Sequence, residues 1–142
     1  MKGMVISVLI AAAAVISLTG CSDDSDVPNE PTTAVRDNIR AMEEENLEEV
    51  MATIHKESPS YSTTETLAQQ LFDVYDLKYE LNDVVLLEKN EEEAKVRCVQ
   101  ITTKRGGPAF RDNKILMTHV LKKEGNRWKL WSSQAGTPEF LN

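Results

Sequence analysis

The chain has 142 residues, of which 41% are hydrophobic and 27% charged, and its formal net charge is −7. That composition suits one globular domain rather than a disordered segment, because enough apolar surface is available to offset the entropy lost on ordering. The acidic balance excludes nucleic acid as a partner, since that affinity rests on neutralised phosphates.

At the start of the chain, Lys2 precedes an uncharged apolar run from Val5 to Leu18 (VISVLIAAAAVISL). Such a run has the length of an export signal and falls short of the roughly 20 apolar residues that a spanning helix needs. It ends in Leu18-Thr19-Gly20-Cys21, which resembles the bacterial lipobox, where a small residue precedes a cysteine that is acylated before cleavage. The resemblance implies that residues 1–20 are a signal peptide, that Cys21 carries acyl chains, and that the remainder faces the extracytoplasmic side of a cell membrane or outer membrane. At about 0.8 kcal/mol per buried methylene, several chains hold a domain on a lipid membrane almost permanently. Residues 21–33 then read as the lipidated cysteine and an acidic linker, because SDDSDVPNEPTT carries four acids, two prolines and one large apolar side chain.

The expected domain covers residues 34–142. Val35, Ile39 and Met42 recur at helical spacing, with Thr33 placed to cap the helix and Asp37 in its first turn. After the acidic run Glu43-Glu44-Glu45, read as a solvated surface, a second stripe of Leu47, Val50, Met51 and Ile54 follows Asn46, with Glu49 positioned as in a capping box. Ser58-Pro59 ends that helix, and Ser62 with Glu65 opens a third, whose face carries Leu67, Ala68, Leu71, Phe72 and Tyr75. Strand patterns take over at Lys78–Lys89, Ala94–Lys104, Phe110–Lys123 and Arg127–Ser133, separated by turns at Asn90-Glu91-Glu92, Gly106-Gly107-Pro108 and Gly125-Asn126. The expected fold is therefore α+β, with three N-terminal helices packed on a curved antiparallel sheet of about four strands.

This order of elements, closed by Gly125-Asn126-Arg127-Trp128-Lys129-Leu130, resembles the nuclear transport factor 2-like superfamily, also called SnoaL-like, over Ala34 to Ser133. The segments SPSY at 58–61, YDLKYEL at 75–81 and FRDN at 110–113 are similar to bacterial members without an assigned activity. The resemblance implies a cone-shaped fold, a pocket between helices and sheet, and frequent homodimers formed through the sheet. It implies no single activity, because the superfamily holds isomerases, dehydratases, transport factors and binding modules.

Candidate pocket residues are Tyr61, Tyr79, Arg111, His119 and Trp131. His119 is in phase with Ile115, Met117 and Leu121 and so points inward as a satisfied histidine, while His55 ends the second helix, where the helix dipole suits its charge. Asp83 and Asp112 read as solvated strand carboxylates. Arg97, Arg111 and Lys114 on neighbouring strands read as a charged sheet face before an anion site. Cys98 reads as a small buried hydrophobe, and Trp128 as core. Two histidines 64 positions apart, with Cys98 the one cysteine besides Cys21, give no metal cluster, and no cofactor is expected. Binding of a small ligand or an envelope protein is favoured, with no catalytic residue assigned. The alternative is a ketosteroid-isomerase-like or dehydratase-like enzyme using acid/base residues of the pocket.

Overall fold

In the computed structural model residues 27–141 are described. The leader, Cys21 and the first residues of the acidic linker lie outside them. The first helix, α1 (Pro31–Glu43), begins three residues before the expected Ala34. Pro31 occupies its first turn, where a missing N–H costs nothing, and Glu30 stands at the N-cap with extended backbone and no side-chain bond. The expected roles of Thr33 and Asp37 are thus corrected: Asp37 sits further along the helix and pairs with Arg40 at 3.3 Å.

Glu45 turns the chain in the left-handed region at φ 54. Asn46 then caps α2 (Leu47–Ala52), accepting from the Glu49 amide at 3.2 Å as its position predicts. This helix stops at Ala52 rather than at Ser58-Pro59. Thr53 turns its hydroxyl onto the Val50 carbonyl at 2.6 Å, and the backbone that follows joins the sheet. Leu130 donates to the Thr53 carbonyl at 2.8 Å, and His55 donates to the Leu130 carbonyl at 2.9 Å. Sheet pairing satisfies the amides that another helical turn would have used.

Helix α3 (Tyr61–Val74) starts after Ser60, not at Ser62. The Ser58 hydroxyl fixes that start by donating to the Trp131 carbonyl at 2.6 Å while accepting from the Ser60 amide at 3.2 Å. Of the broad apolar face expected on α3, Ala68 is buried and Leu67 is 54% exposed.

The strands β1 (Asp76–Lys89), β2 (Glu93–Gly106), β3 (Asn113–Glu124) and β4 (Arg127–Ala135) lie in the order β1-β2-β3-β4, each antiparallel to its neighbour. A short β5 (Glu139–Phe140) pairs with the start of β3. One face of the sheet carries Ala94, Val96, Cys98, His119, Leu121, Trp128 and Leu130, all buried. Ala34, Val35 and Ala41 of α1 and Val50 and Met51 of α2 close that core. In β1, Asp83 adopts φ 51 at a register shift between Asn82 and Val85. The extra residue reverses the alternation, so Leu81 and Val84, an odd number of positions apart, both pack on the core. Gly107 has φ +111, and an added Cβ there would sit 2.6 Å from the Val74 carbonyl. Glycine is what lets this turn lie against the end of α3.

Candidate functional site

Because α2 ends early and residues 53–55 cross to β4, the space between α2, α3 and the β3–β4 hairpin stays open. It forms a cleft of about 410 Å³ with Leu47, Met51, Ile54 and Tyr61 as its apolar lining. Glu48, Lys56, Glu65, Glu124 and Lys129 stand around it. Its size falls within the roughly 300–1,000 Å³ typical of small-molecule sites. A second, more polar cleft of about 480 Å³ lies beside it, bordered by Asp37, Arg40, Glu49 and Arg127. Ala52 and Lys129 border both clefts, and the Lys129 side chain reaches back over the end of α2. Its ammonium donates to the Ala52 carbonyl at the end of α2. Burial lowers the Lys129 pKa, Glu124 works against that shift, and Arg127 and Lys56 add to it.

The five expected pocket residues do not converge. Tyr61 lines the apolar cleft. His119 is 5% exposed and lies in the core, where its Nδ1 is 2.7 Å from the Ser133 hydroxyl and its Nε2 3.7 Å from Cys98 Sγ. Burial pushes its pKa from 6.5 down to about 4. The Cys98 thiol pKa is raised by burial and partly offset by Arg36. Tyr79 lies opposite Thr102 in the sheet. Its pKa is raised to about 12 by burial and then by Glu45 and Glu43. Arg111 places its guanidinium 3.7 Å from the Phe140 ring centre. Trp131 meets the edge of His55 at 5.1 Å, with Lys122 4.0 Å above its ring.

Other expectations are revised by the pairing of strands and loops. His55 lies beyond the end of α2, is buried, and has both ring nitrogens engaged: Nε2–H donates to the Lys123 carbonyl at 3.2 Å and Nδ1 accepts from the Glu57 amide at 3.1 Å. Those two partners require the neutral tautomer with its proton on Nε2. Asp112 accepts from the Lys104 amide at 2.9 Å and so shapes the β2–β3 loop. Arg97 pairs opposite Thr118 and Lys114 opposite Ile101, about 13 Å apart along β2 at roughly 3.3 Å per residue, too far to grip one small anion. The cleft residues Glu48, Glu124 and Lys129 carried no signal in the sequence, since it is the crossing of residues 53–55 that assembles them. Among the described residues no group of three or more His, Cys, Asp or Glu side chains could hold a metal ion. Among them, too, no helix is long and apolar enough to cross a membrane.

Residues 33–141 match the family described as the C-terminal domain of anti-sigma-I factor RsgI9. Anti-sigma-I factor RsgI9 of Acetivibrio thermocellus is 32% identical over 96 residues, which make up 68% of this chain and 13% of that protein. The chain therefore corresponds to a small part of this relative. Among solved structures, a nuclear transport factor 2-like protein from Streptomyces avermitilis superposes with a TM-score of 0.61 at 17% identity, covering 72% of this chain and 90% of that one. A cystatin-like protein from Nostoc punctiforme superposes with a TM-score of 0.60 at 11% identity, covering 72% and 84%. At such identities the likeness is one of fold, and it agrees with the architecture expected from the order of elements.

Proposed function

The chain belongs to the RsgI9 C-terminal domain family, and from that footing we propose that its folded part is a recognition module, binding a small ligand or an envelope protein, displayed outside the cytoplasm on a lipid anchor at Cys21. The observation that carries the reading is the open cleft of about 410 Å³ with its apolar lining and charged rim. Clefts of this kind take up a ligand by burying its apolar body and orienting it with a few polar groups. The relative is named as an anti-sigma factor, a regulator, and this chain spans 13% of it. Recognition is read from the cleft of this chain, with no claim on that protein's action.

Proton-abstracting catalysis has weaker support. It needs an acid or base held in an enclosed apolar pocket with an aligned donor. His119 has its nitrogens occupied by Ser133 and Cys98 away from the cleft, and Glu48 and Glu65 stand exposed on the rim.

Two measurements test the reading. Intact-mass analysis of material from the native cell is expected to give a chain lacking residues 1–20 and carrying acyl chains on Cys21; retention of Met1 or an unmodified Cys21 removes the anchor. Native mass spectrometry of the same material is expected to find a bound small molecule or protein that is lost when Met51→Trp fills the cleft. Unchanged occupancy in that variant would show that recognition lies elsewhere.

A further inference from the structure

Resting on the reading of the cleft as a recognition site, we infer that its ligand is an organic cation: a protonated or quaternary amine carried on an apolar body. The body is matched by Leu47, Met51, Ile54 and Tyr61, which together offer aliphatic surface and one aromatic ring. The charge is matched by the rim. Glu48 and Glu65, on α2 and α3, have no hydrogen-bond or ion-pair partner among the described residues, and Glu124 adds a third carboxylate from the end of β3.

Of the two cations bordering the cleft, Lys129 is held on the Ala52 carbonyl and keeps its charge, with Glu124 acting on it, and Lys56 is exposed, so three carboxylates face two ammonium groups. An incoming ammonium group therefore meets net negative charge beside an apolar wall, and the Tyr61 ring provides a surface on which a cation gains further attraction. A carboxylate of the same shape would meet repulsion. A neutral ligand would gain the apolar contact alone, so a cation is discriminated by rim charge and the body by the floor.

The test uses the full chain in lipid nanodiscs, labelled with carbon-13 at its methionine methyls, with Met51 as the reporter in the cleft. The probes are 3-phenylpropylammonium, 3-phenyl-1-propanol and 3-phenylpropionate, which share a body and differ in charge. The ammonium probe is expected to shift the Met51 signal saturably, the alcohol to bind more weakly, and the carboxylate to leave it in place. Glu48→Gln combined with Glu65→Gln, both on exposed positions, is expected to weaken the ammonium probe about fivefold to tenfold, which is what two exposed charge contacts supply. Added salt is expected to weaken it too. If the carboxylate or the alcohol moves Met51 as well as the ammonium does, the cation assignment is overturned while the recognition reading stands. Undiminished ammonium binding in the double variant overturns it equally. If none of the three moves Met51, the cleft is not the site for this chemistry, and the search for a co-purifying ligand decides separately whether the domain recognises anything.

Discussion

At the scale of single residues, His119 illustrates what the sequence carries and what it omits. Its phase with Ile115, Met117 and Leu121 makes it inward-facing, and it is buried. Its partners Ser133 and Cys98 come from two other strands, and no local pattern names them. A buried neutral histidine with a pKa of about 4, against 6.5 when unfolded, ties stability to pH in a definite sense. The unfolded chain binds the proton first, so stability is full above pH 6.5 and falls as the pH drops from 6.5 towards 4. Between pH 7.5 and 5 that loss is on the order of 2 kcal/mol. Urea midpoints measured at the two values are expected to differ accordingly, and the gap is expected to shrink by most of that amount in His119→Phe. A variant as pH-sensitive as the parent would refute the assignment.

Glycines make a second contrast at this scale. Gly107 and Gly125 both hold positive φ, but a methyl group on Gly125 meets open space whereas one on Gly107 meets the Val74 carbonyl at 2.6 Å. Gly125→Ala is expected to cost about 1 kcal/mol, the strain of the left-handed region alone. Gly107→Ala adds a steric clash with backbone and is expected to cost at least about 2 kcal/mol. Equal melting temperatures for the two variants would contradict the packing of this turn on α3.

At the scale of elements, alternation made β2, β3 and β4 readable: Ala94, Val96 and Cys98 face inward as period two requires. The apolar centre of β1 was misleading. Val84 packs on the core, yet Val85, Leu86 and Leu87 are 39–44% exposed: after the Asp83 bulge Val85 shares the face of Arg97, while Leu86 is exposed although it lies opposite the buried Val96. Helix ends were legible where a side chain caps locally, as at Asn46, and illegible where a distant strand competes, as at Ala52. The serine at 58 belongs to the second kind. It is buried and joins the loop before α3 to the Trp131 carbonyl, a bond between residues far apart in the chain. Ser58→Ala is expected to cost about 1–2 kcal/mol, the penalty for an unsatisfied buried acceptor. It is also expected to speed hydrogen exchange at the Tyr61 amide, which bonds the Ser58 carbonyl at 3.1 Å. Exchange unchanged at Tyr61 would mean that α3 is held by other contacts.

At the scale of the whole molecule, one face of the sheet lies against the helices, and among the described residues no layer covers the other. Met117 packs on the core, so its neighbour Leu116, 49% exposed, stands on the open face. Cross-strand partners share a face, and the register therefore sets Leu116 beside Val99, and Ile101 between Glu80 and Lys114. Arg97 likewise falls between Val85 and Thr118, and Lys95 between Glu88 and Val120. Glu80 and Glu88 of β1 and Lys95, Arg97 and Lys114 of β2 and β3 thus share this face about an apolar centre, with Lys78 and Glu93 at its ends. Two copies facing each other across a two-fold axis would set β1 acids against the partner's cations while burying Val99 and Leu116. The homodimer that the superfamily resemblance implies is expected to appear in light scattering on the full chain once detergent mass is subtracted. Leu116→Glu places a charge at the centre of that contact without entering the core, so it should shift the chain to monomer with little change in melting temperature at low concentration. A parent chain that stays monomeric at high concentration, or a Leu116→Glu variant that dimerises as well as the parent, would remove the sheet face from the interface.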